Sequence, residues 1–196
     1  MTHPTVQFTA EQTATALPYA ALAKAIEALE TELGLPAGQT EIVPTIESAL
    51  GIVRIQSILA ASPRVSACLL AAEDLTADLG AERGPDSLEL NHLRSRFLVD
   101  CRAAGRVAID CPFNYRDPVA QRLDLVWARR IGLKAKCAVY PAQIAAIHEE
   151  LTPSAKQVDL ARASVSSFEA ARRGGVPAGA AVVLGRSAAI VGRDAG

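Results

Sequence analysis

A length of 196 residues suits one domain or part of a larger protein, and the apolar half of the composition is enough for a sizeable core. The net charge of −1 gives no electrostatic reason to expect nucleic acid or an anionic membrane as a partner. No apolar stretch reaches membrane-spanning length, and the first residues lack the pattern of a secretory signal, so we expect a cytoplasmic protein.

Cysteine and histidine usage argues against a zinc site. The cysteines form no CxxC pair, and the three histidines are scattered along the chain. Free thiols buried in a reducing compartment are the expected state of Cys68, Cys101, Cys111 and Cys137.

Helical spacing alternates with short apolar runs along the chain. The pattern predicts helices over 15–34, 49–61, 86–105, 116–132, 141–150 and 152–174, and strands over 40–48, 64–74, 106–112 and 134–140. Asp117 and Thr152 are expected N-caps, because each precedes a proline at a first helical position. We divide the chain into a flexible N-terminal tail (1–14), a domain (15–173) and a C-terminal tail or lid (174–196).

Strand–helix alternation predicts an α/β fold with a parallel sheet and right-handed crossovers. In such sheets the chemistry lies beyond the carboxyl ends of the strands. Acids end three consecutive predicted strands there, namely Glu47, then Glu73 and Asp74, then Asp110. Each acid alone is either a helix N-cap or a ligand of something positive. Gathered carboxylates repel unless a cation is present, and oxygen ligands suit Mg²⁺ or Mn²⁺.

Several separated motifs resemble one family in the right order. They are "IESALG" at 46–51, "AAEDLTADLG" at 71–80, "CRAAGRVAIDCPF" at 101–113 and "GLKAKCAVYPAQI" at 132–144. Over residues 40–173 the chain resembles the citrate lyase β-subunit-like branch of the HpcH/HpaI aldolase family, which also contains malyl-CoA lyases.

The resemblance implies a (β/α) TIM-barrel fold in which Glu47 and Asp74 bind Mg²⁺. It implies cleavage or formation of a carbon–carbon bond in a hydroxy-acyl-CoA or hydroxy acid. Candidate substrate-binding residues are Glu73, Asp110 and Tyr140, and no catalytic residue is assigned. Asp110 is alternatively the cap of the following turn, and Tyr140 a tolerated aromatic at a strand end. Adjacent strand residues point to opposite faces, so we do not expect Glu73 and Asp74 both to face the ion.

The chain also departs from the family pattern. A full barrel needs eight strands, whereas the four predicted here correspond to its second half. The family's arginine-bearing strand has no counterpart, and Leu184, Gly185 and Arg186 stand where a lid segment carries an aspartate. Three outcomes stay open: a homo-oligomer, a complex with a complementary half-barrel chain, or a non-catalytic subunit that keeps the fold and the metal site. A thioesterase is a further alternative.

Overall fold

The computed structural model describes residues 16–173, so the predicted tails at 1–14 and 174–196 lie outside the described residues. The helices are α1 (Leu17–Glu32), α2 (Ala49–Val53), α3 (Ile55–Leu59), α4 (Ala72–Leu79), α5 (Asn91–Ala103), α6 (Pro118–Ile131), α7 (Ile144–Leu151) and α8 (Ala155–Arg173). The strands are β1 (Thr45–Ile46), β2 (Ala67–Leu70), β3 (Val107–Asp110) and β4 (Ala135–Lys136), and 3₁₀ turns occupy Leu88–Leu90 and Pro141–Gln143.

The four strands form one parallel sheet in the order β1-β2-β3-β4. The alternation predicts the parallel sheet, and the sequential order agrees with the TIM-barrel fold that the family resemblance implies. Thr45 pairs with Leu69, Leu69 with Ile109, and Ile109 with Ala135, so one row of side chains crosses the whole sheet. Sequential order with a helical connection after each strand is the arrangement of a TIM-barrel wall.

The two faces of this sheet have different environments. Side chains alternate between the faces along each strand. On one face Ile46, Cys68 and Leu70 are at most 1% exposed, and they belong to the main hydrophobic core with the surrounding helices. On the other face Thr45 and Val107 are exposed, and Leu69, Ile109 and Ala135 are half-buried. The sheet is therefore packed on its helical side and open on the side that is the interior of a closed barrel.

The second predicted strand is too long. β2 ends at Leu70, and α4 begins at Ala72, so Glu73 and Asp74 lie in the first turn of a helix. The Ala71 N–H still donates to the Ile46 carbonyl at 2.9 Å. Acids in the first turn of a helix interact favourably with the helix dipole. Glu73 and Asp74 therefore favour a helix that begins at Ala72, inside the predicted strand. The expectation that adjacent strand positions separate Glu73 from Asp74 is wrong for the same reason.

Other boundaries test the capping predictions. Asp117 caps α6 as predicted, because its Oδ1 accepts from the Val119 and Ala120 N–H groups. Thr152 does not cap α8, which begins only at Ala155. Instead the Ser154 N–H donates to the Gln157 side chain, and the Gln157 N–H donates to Ser154 Oγ. The predicted helix over 49–61 is divided at Arg54 into α2 and α3.

The chain separates into two compact units, with the division after Leu151. The first contains the sheet and helices α1 to α7, and the second contains α8. Within residues 16–173, no helix combines the length and the apolar character needed to span a bilayer.

Candidate metal and substrate site

The first site residue lies at the carboxyl end of β1. Glu47 directly follows Ile46, is half-buried and shares the alternation of Thr45, whose side chain is on the open face. The pairing of Ile46 with Leu70 places Glu47 level with Ala71, at the start of the connection that leads into α4. Glu47 therefore lies at the rim of the open face.

Asp74 lies on the neighbouring element and is exposed. One turn later on α4, Asp78 Oδ2 accepts a hydrogen bond of 2.7 Å from the Ala49 N–H. Residues four apart share a helix face, so the face that carries Asp74 and Asp78 is turned towards the connection from β1 to α2. Glu47 belongs to that connection.

Glu73 differs from Asp74 in having a protein cation beside it. Arg83 Nε donates to Glu73 Oε1 at 3.1 Å, and Arg83 Nη1 also bonds to Glu89. Burial opposes the charge of Arg83, but the two carboxylates outweigh it and raise the Arg83 pKa. This contact is a structural use for Glu73, and its predicted part in substrate binding stays a prediction.

Asp110, at the end of β3, is completely buried on the helical side of the sheet. Arg94 donates to both of its oxygens, Nε to Oδ1 at 2.9 Å and Nη2 to Oδ2 at 2.6 Å. Lys136 Nζ donates to Oδ2 at 2.8 Å. Burial alone would raise the Asp110 pKa, but Lys136 and Arg94 outweigh it and hold the pKa below its ordinary value. The predicted substrate contact is untested, and this ion pairing explains the residue without one.

Asp124 completes a buried cluster that we call the ionic cluster: Arg94, Asp110, Asp124 and Lys136. Its carboxylate lies 2.7 Å from Arg94 Nη1 and 2.8 Å from Lys136 Nζ. The Arg94 guanidinium also lies 4.3 Å from the Trp127 ring centroid. Two cations and two anions balance, and together they join α5, β3, α6 and β4.

Sequence reasoning missed the ionic cluster, although α5 carried a signal for it. Phe97 and Cys101 define the buried stripe of that helix, Leu90 lies just before its first residue, and Arg94 occupies the same stripe. A charged residue at a core position needs a buried partner of opposite sign. Of the acids predicted at the rim, Asp110 is the nearest to Arg94 along the chain, and it is an ion-pair partner of Arg94.

Tyr140 lies at the rim after β4. Its hydroxyl donates to the Asn114 carbonyl at 3.4 Å, and the Arg116 guanidinium lies 4.6 Å from its ring centroid. The buried Gln143 side chain accepts from the Tyr140 N–H at 3.2 Å and donates to the Phe113 carbonyl at 2.7 Å. The connections after β3 and β4 are thus fastened to each other around Tyr140.

Tyr19 of α1 is a buried residue of the main hydrophobic core that the sequence had not indicated. Burial is the main cause that raises its pKa to about 12, followed by the nearby Cys68 thiol and the Glu47 carboxylate. The negative charge of Glu47 therefore reaches the phenol of Tyr19.

The four cysteines are free, as expected, and three are buried.

Glu47 and Asp74 are set apart from the other predicted acids by their charge balance. Within residues 16–173 neither has an ion-pair partner, whereas Glu73 and Asp110 do. In the same range, no three His, Cys, Asp or Glu side chains form a group that could hold a metal. Among the described residues, Glu47 and Asp74 are therefore a candidate pair of carboxylates and not part of a larger cluster of metal ligands.

Comparison with known proteins decides the family. The sequence profile of the HpcH/HpaI aldolase/citrate lyase family matches residues 11–141. The chain belongs to this family. It is 34% identical over 147 residues to citrate lyase subunit beta of Leuconostoc mesenteroides, covering 74% of this chain and 49% of that protein. It is 32% identical to L-malyl-CoA/beta-methylmalyl-CoA lyase of Cereibacter sphaeroides, covering 83% and 57%. The chain thus spans about half the length of such family members.

Solved structures of family members confirm the fold. RipC from Yersinia pestis superposes with a TM-score of 0.58 at 32% identity, covering 69% of this chain and 62% of that one. CitE from Mycobacterium tuberculosis, in complex with magnesium, acetoacetate and coenzyme A, superposes with a TM-score of 0.64 at 23% identity, covering 93% and 66%. The four-stranded sheet is accordingly of the TIM-barrel type.

Proposed function

We propose that this chain carries the Mg²⁺ site of a carbon–carbon lyase of the citrate lyase β type, acting on a hydroxy-acyl-CoA or a hydroxy acid. The observation that carries the proposal is the pair of carboxylates at the carboxyl edge of the sheet, Glu47 and Asp74, neither of which has an ion-pair partner among residues 16–173. The relatives of this chain include citrate lyase β subunits and malyl-CoA lyases.

The donor chemistry fits magnesium. Mg²⁺ is commonly held by one or two carboxylates, and the remaining positions are filled by water and substrate oxygens. Glu47 and Asp74 supply that number of hard oxygen ligands, and Mn²⁺ would accept the same set. CitE of Mycobacterium tuberculosis, at 27% identity and a TM-score of 0.52, is a relative solved with magnesium and pyruvate.

The expected chemistry needs negative charge to be stabilised at the rim. Cleaving the carbon–carbon bond of a 3-hydroxyacyl thioester turns the hydroxyl carbon into a carbonyl and leaves an enolate on the thioester fragment. A divalent ion supplies electrostatic stabilisation of the developing charge. Glu47 and Asp74 would hold the ion, and Glu73 would keep Arg83 and the start of α4 in place.

The open face of the sheet makes assembly part of the proposal. Thr45 and Val107 are exposed on a face that a closed barrel buries, and the adjacent apolar side chains are only half-buried. A second copy or a complementary half-barrel chain would cover this face and supply the missing half of the site. Without either, the chain would be a non-catalytic subunit that binds the metal.

A metal titration tests the proposal directly. We expect Mg²⁺ to raise the melting temperature of the chain, because an ion bound only to the folded state stabilises it by about 2.7 kcal/mol at 100 times its Kd. Glu47→Gln and Asp74→Asn should each abolish the shift. Glu41→Gln, at an exposed position before β1, is the matched control and should leave it intact. An unshifted parent protein would eliminate the metal site.

Product analysis then separates the candidate reactions. Release of acetyl-CoA from malyl-CoA or citryl-CoA indicates lyase activity. Release of free coenzyme A with intact malate indicates a thioesterase, an alternative favoured by 32% identity to (3S)-malyl-CoA thioesterase of Cereibacter sphaeroides. Light scattering shows whether activity accompanies an oligomer, and a folded, inactive monomer that still binds Mg²⁺ would support the non-catalytic alternative.

A further inference from the structure

We infer that Arg116 binds an anionic group of the ligand, a carboxylate or a phosphate, and that Tyr140 holds its guanidinium in position. The inference deepens the proposed function and rests on it for the nature of the ligand.

The position of Arg116 places it at the same edge as the candidate metal ligands. It lies in the connection between β3, which ends at Asp110, and α6, which begins at Pro118. That connection leaves the carboxyl end of β3, just as Glu47 and Asp74 follow the carboxyl ends of β1 and β2. In parallel α/β sheets this edge is where ligands bind.

The guanidinium of Arg116 is oriented but not neutralised. It lies over the Tyr140 ring at 4.6 Å, in the range of a cation–π contact, which leaves the N–H groups at its edge for a ligand. No carboxylate among residues 16–173 forms an ion pair with it. The adjacent Asp117 is occupied, since its Oδ1 accepts two backbone N–H groups of α6.

The base of this contact is itself fixed. The Tyr140 hydroxyl bonds to the Asn114 carbonyl, and Gln143 links the Tyr140 N–H to the Phe113 carbonyl. The ring therefore belongs to a braced pair of connections, and Arg116 is held on it before any ligand arrives. Such preorganisation lowers the cost of binding. Arg83, whose guanidinium lies 5.8 Å from the centroid of the Tyr115 ring in the same connection, is already paired with Glu73 and Glu89.

Calorimetric titration of the 196-residue chain with malate and, separately, with coenzyme A tests the inference. A hydrogen-bonded charge pair contributes enough that Arg116→Gln should weaken binding about 10- to 100-fold. Loss for malate alone identifies a carboxylate as the partner, and loss for coenzyme A alone identifies a phosphate. Arg130→Gln, an exposed arginine at the far end of α6, removes the same charge and should change affinity less than twofold.

Substitutions of Tyr140 show whether the ring must hold the Arg116 guanidinium in position or whether the positive charge of Arg116 is sufficient for binding. Tyr140→Phe keeps the ring and should retain the parent affinity, whereas Tyr140→Leu should lose part of it. The inference is overturned if the parent binds neither ligand, if Arg116→Gln and Arg130→Gln behave alike, or if Tyr140→Leu matches the parent. Mg²⁺-induced stabilisation is measured on each variant in parallel. Arg116 is not a metal ligand, so the two proposals fail separately. If the Arg116→Gln variant keeps both its stabilisation by Mg²⁺ and the parent's affinity for the anions, only this inference is refuted. If Mg²⁺ does not stabilise the parent, only the metal site is refuted.

Discussion

Asp110 is the last residue of β3 and Glu47 directly follows β1 of the same sheet, but the protein surrounds them differently. Asp110 is completely buried and meets both Arg94 and Lys136. Glu47 is half-buried at the open face, and within residues 16–173 no cation pairs with it. An acid that the fold neutralises fastens elements together, whereas an acid left unneutralised at a rim is available to a ligand. This difference in charge balance is the criterion by which Glu47, and not Asp110, is selected as a candidate ligand-binding carboxylate.

The largest expected effect comes from breaking the ionic cluster on α5. Arg94→Gln leaves Asp110 and Asp124 facing one lysine in the core, and losing one partner of a buried pair costs about 3–5 kcal/mol. Arg96→Gln, two residues away on the same helix, removes a half-exposed ion pair with Asp100 and should cost about 0.3–0.5 kcal/mol. Urea unfolding of both variants measures the contrast, and similar losses would show that the ionic cluster is not a structural lock.

Neutralising one acid of each kind gives the next largest difference. In metal-free buffer Asp110→Asn should destabilise the fold by about 3 kcal/mol or more, because two buried cations lose a counter-charge. Asp74→Asn should change stability by no more than about 0.5 kcal/mol, since Asp74 is exposed and unpaired. With Mg²⁺ present, only the Asp74 variant should differ from the parent in the metal-dependent part of its stability. Equal destabilisation by both variants would abolish the distinction between the two carboxylates.

The sequence was sufficient for the sheet because apolar runs, helical spacing and the caps around α6 are local signals. The parallel pairing of the four strands follows from those signals, whereas their sequential order was implied only by the family resemblance. It was insufficient for the extent of β2, since an acidic first turn after an apolar run reads equally as the end of a strand. The partners of Asp110 could not be predicted from the sequence either. Arg94, Asp124 and Lys136 lie on three other elements, and only the packing of α5 and α6 against the sheet brings them together.

The smallest expected effect concerns Glu30, another neutralised acid, at the end of α1. Arg64 donates to both of its oxygens, at 2.9 and 2.6 Å, and the Gly38 and Thr40 N–H groups donate as well. Hydrogen bonding to Arg64, and then to the two backbone groups, lowers the Glu30 pKa far below its ordinary value. A depressed pKa means that the unfolded state takes up the proton first as pH falls. The stabilisation by Glu30 is therefore fully present above about pH 5 and is lost progressively below the unfolded pKa of about 4.3.

Glu30→Gln should consequently be less stable than the parent at pH 7, and the gap should narrow as the pH falls from 5 to 3. Urea unfolding across this range measures the gap, with Glu32→Gln, an exposed acid two residues away, as the control that should show no such narrowing. The pKa of Asp110 is lowered as well. The Glu30→Gln variant should therefore itself lose stability as the pH falls. A gap that stays constant between pH 7 and 3 would mean that the Arg64 contact stabilises through packing and not through the charge of Glu30. Glu30 would then no longer belong with the acids that the fold neutralises.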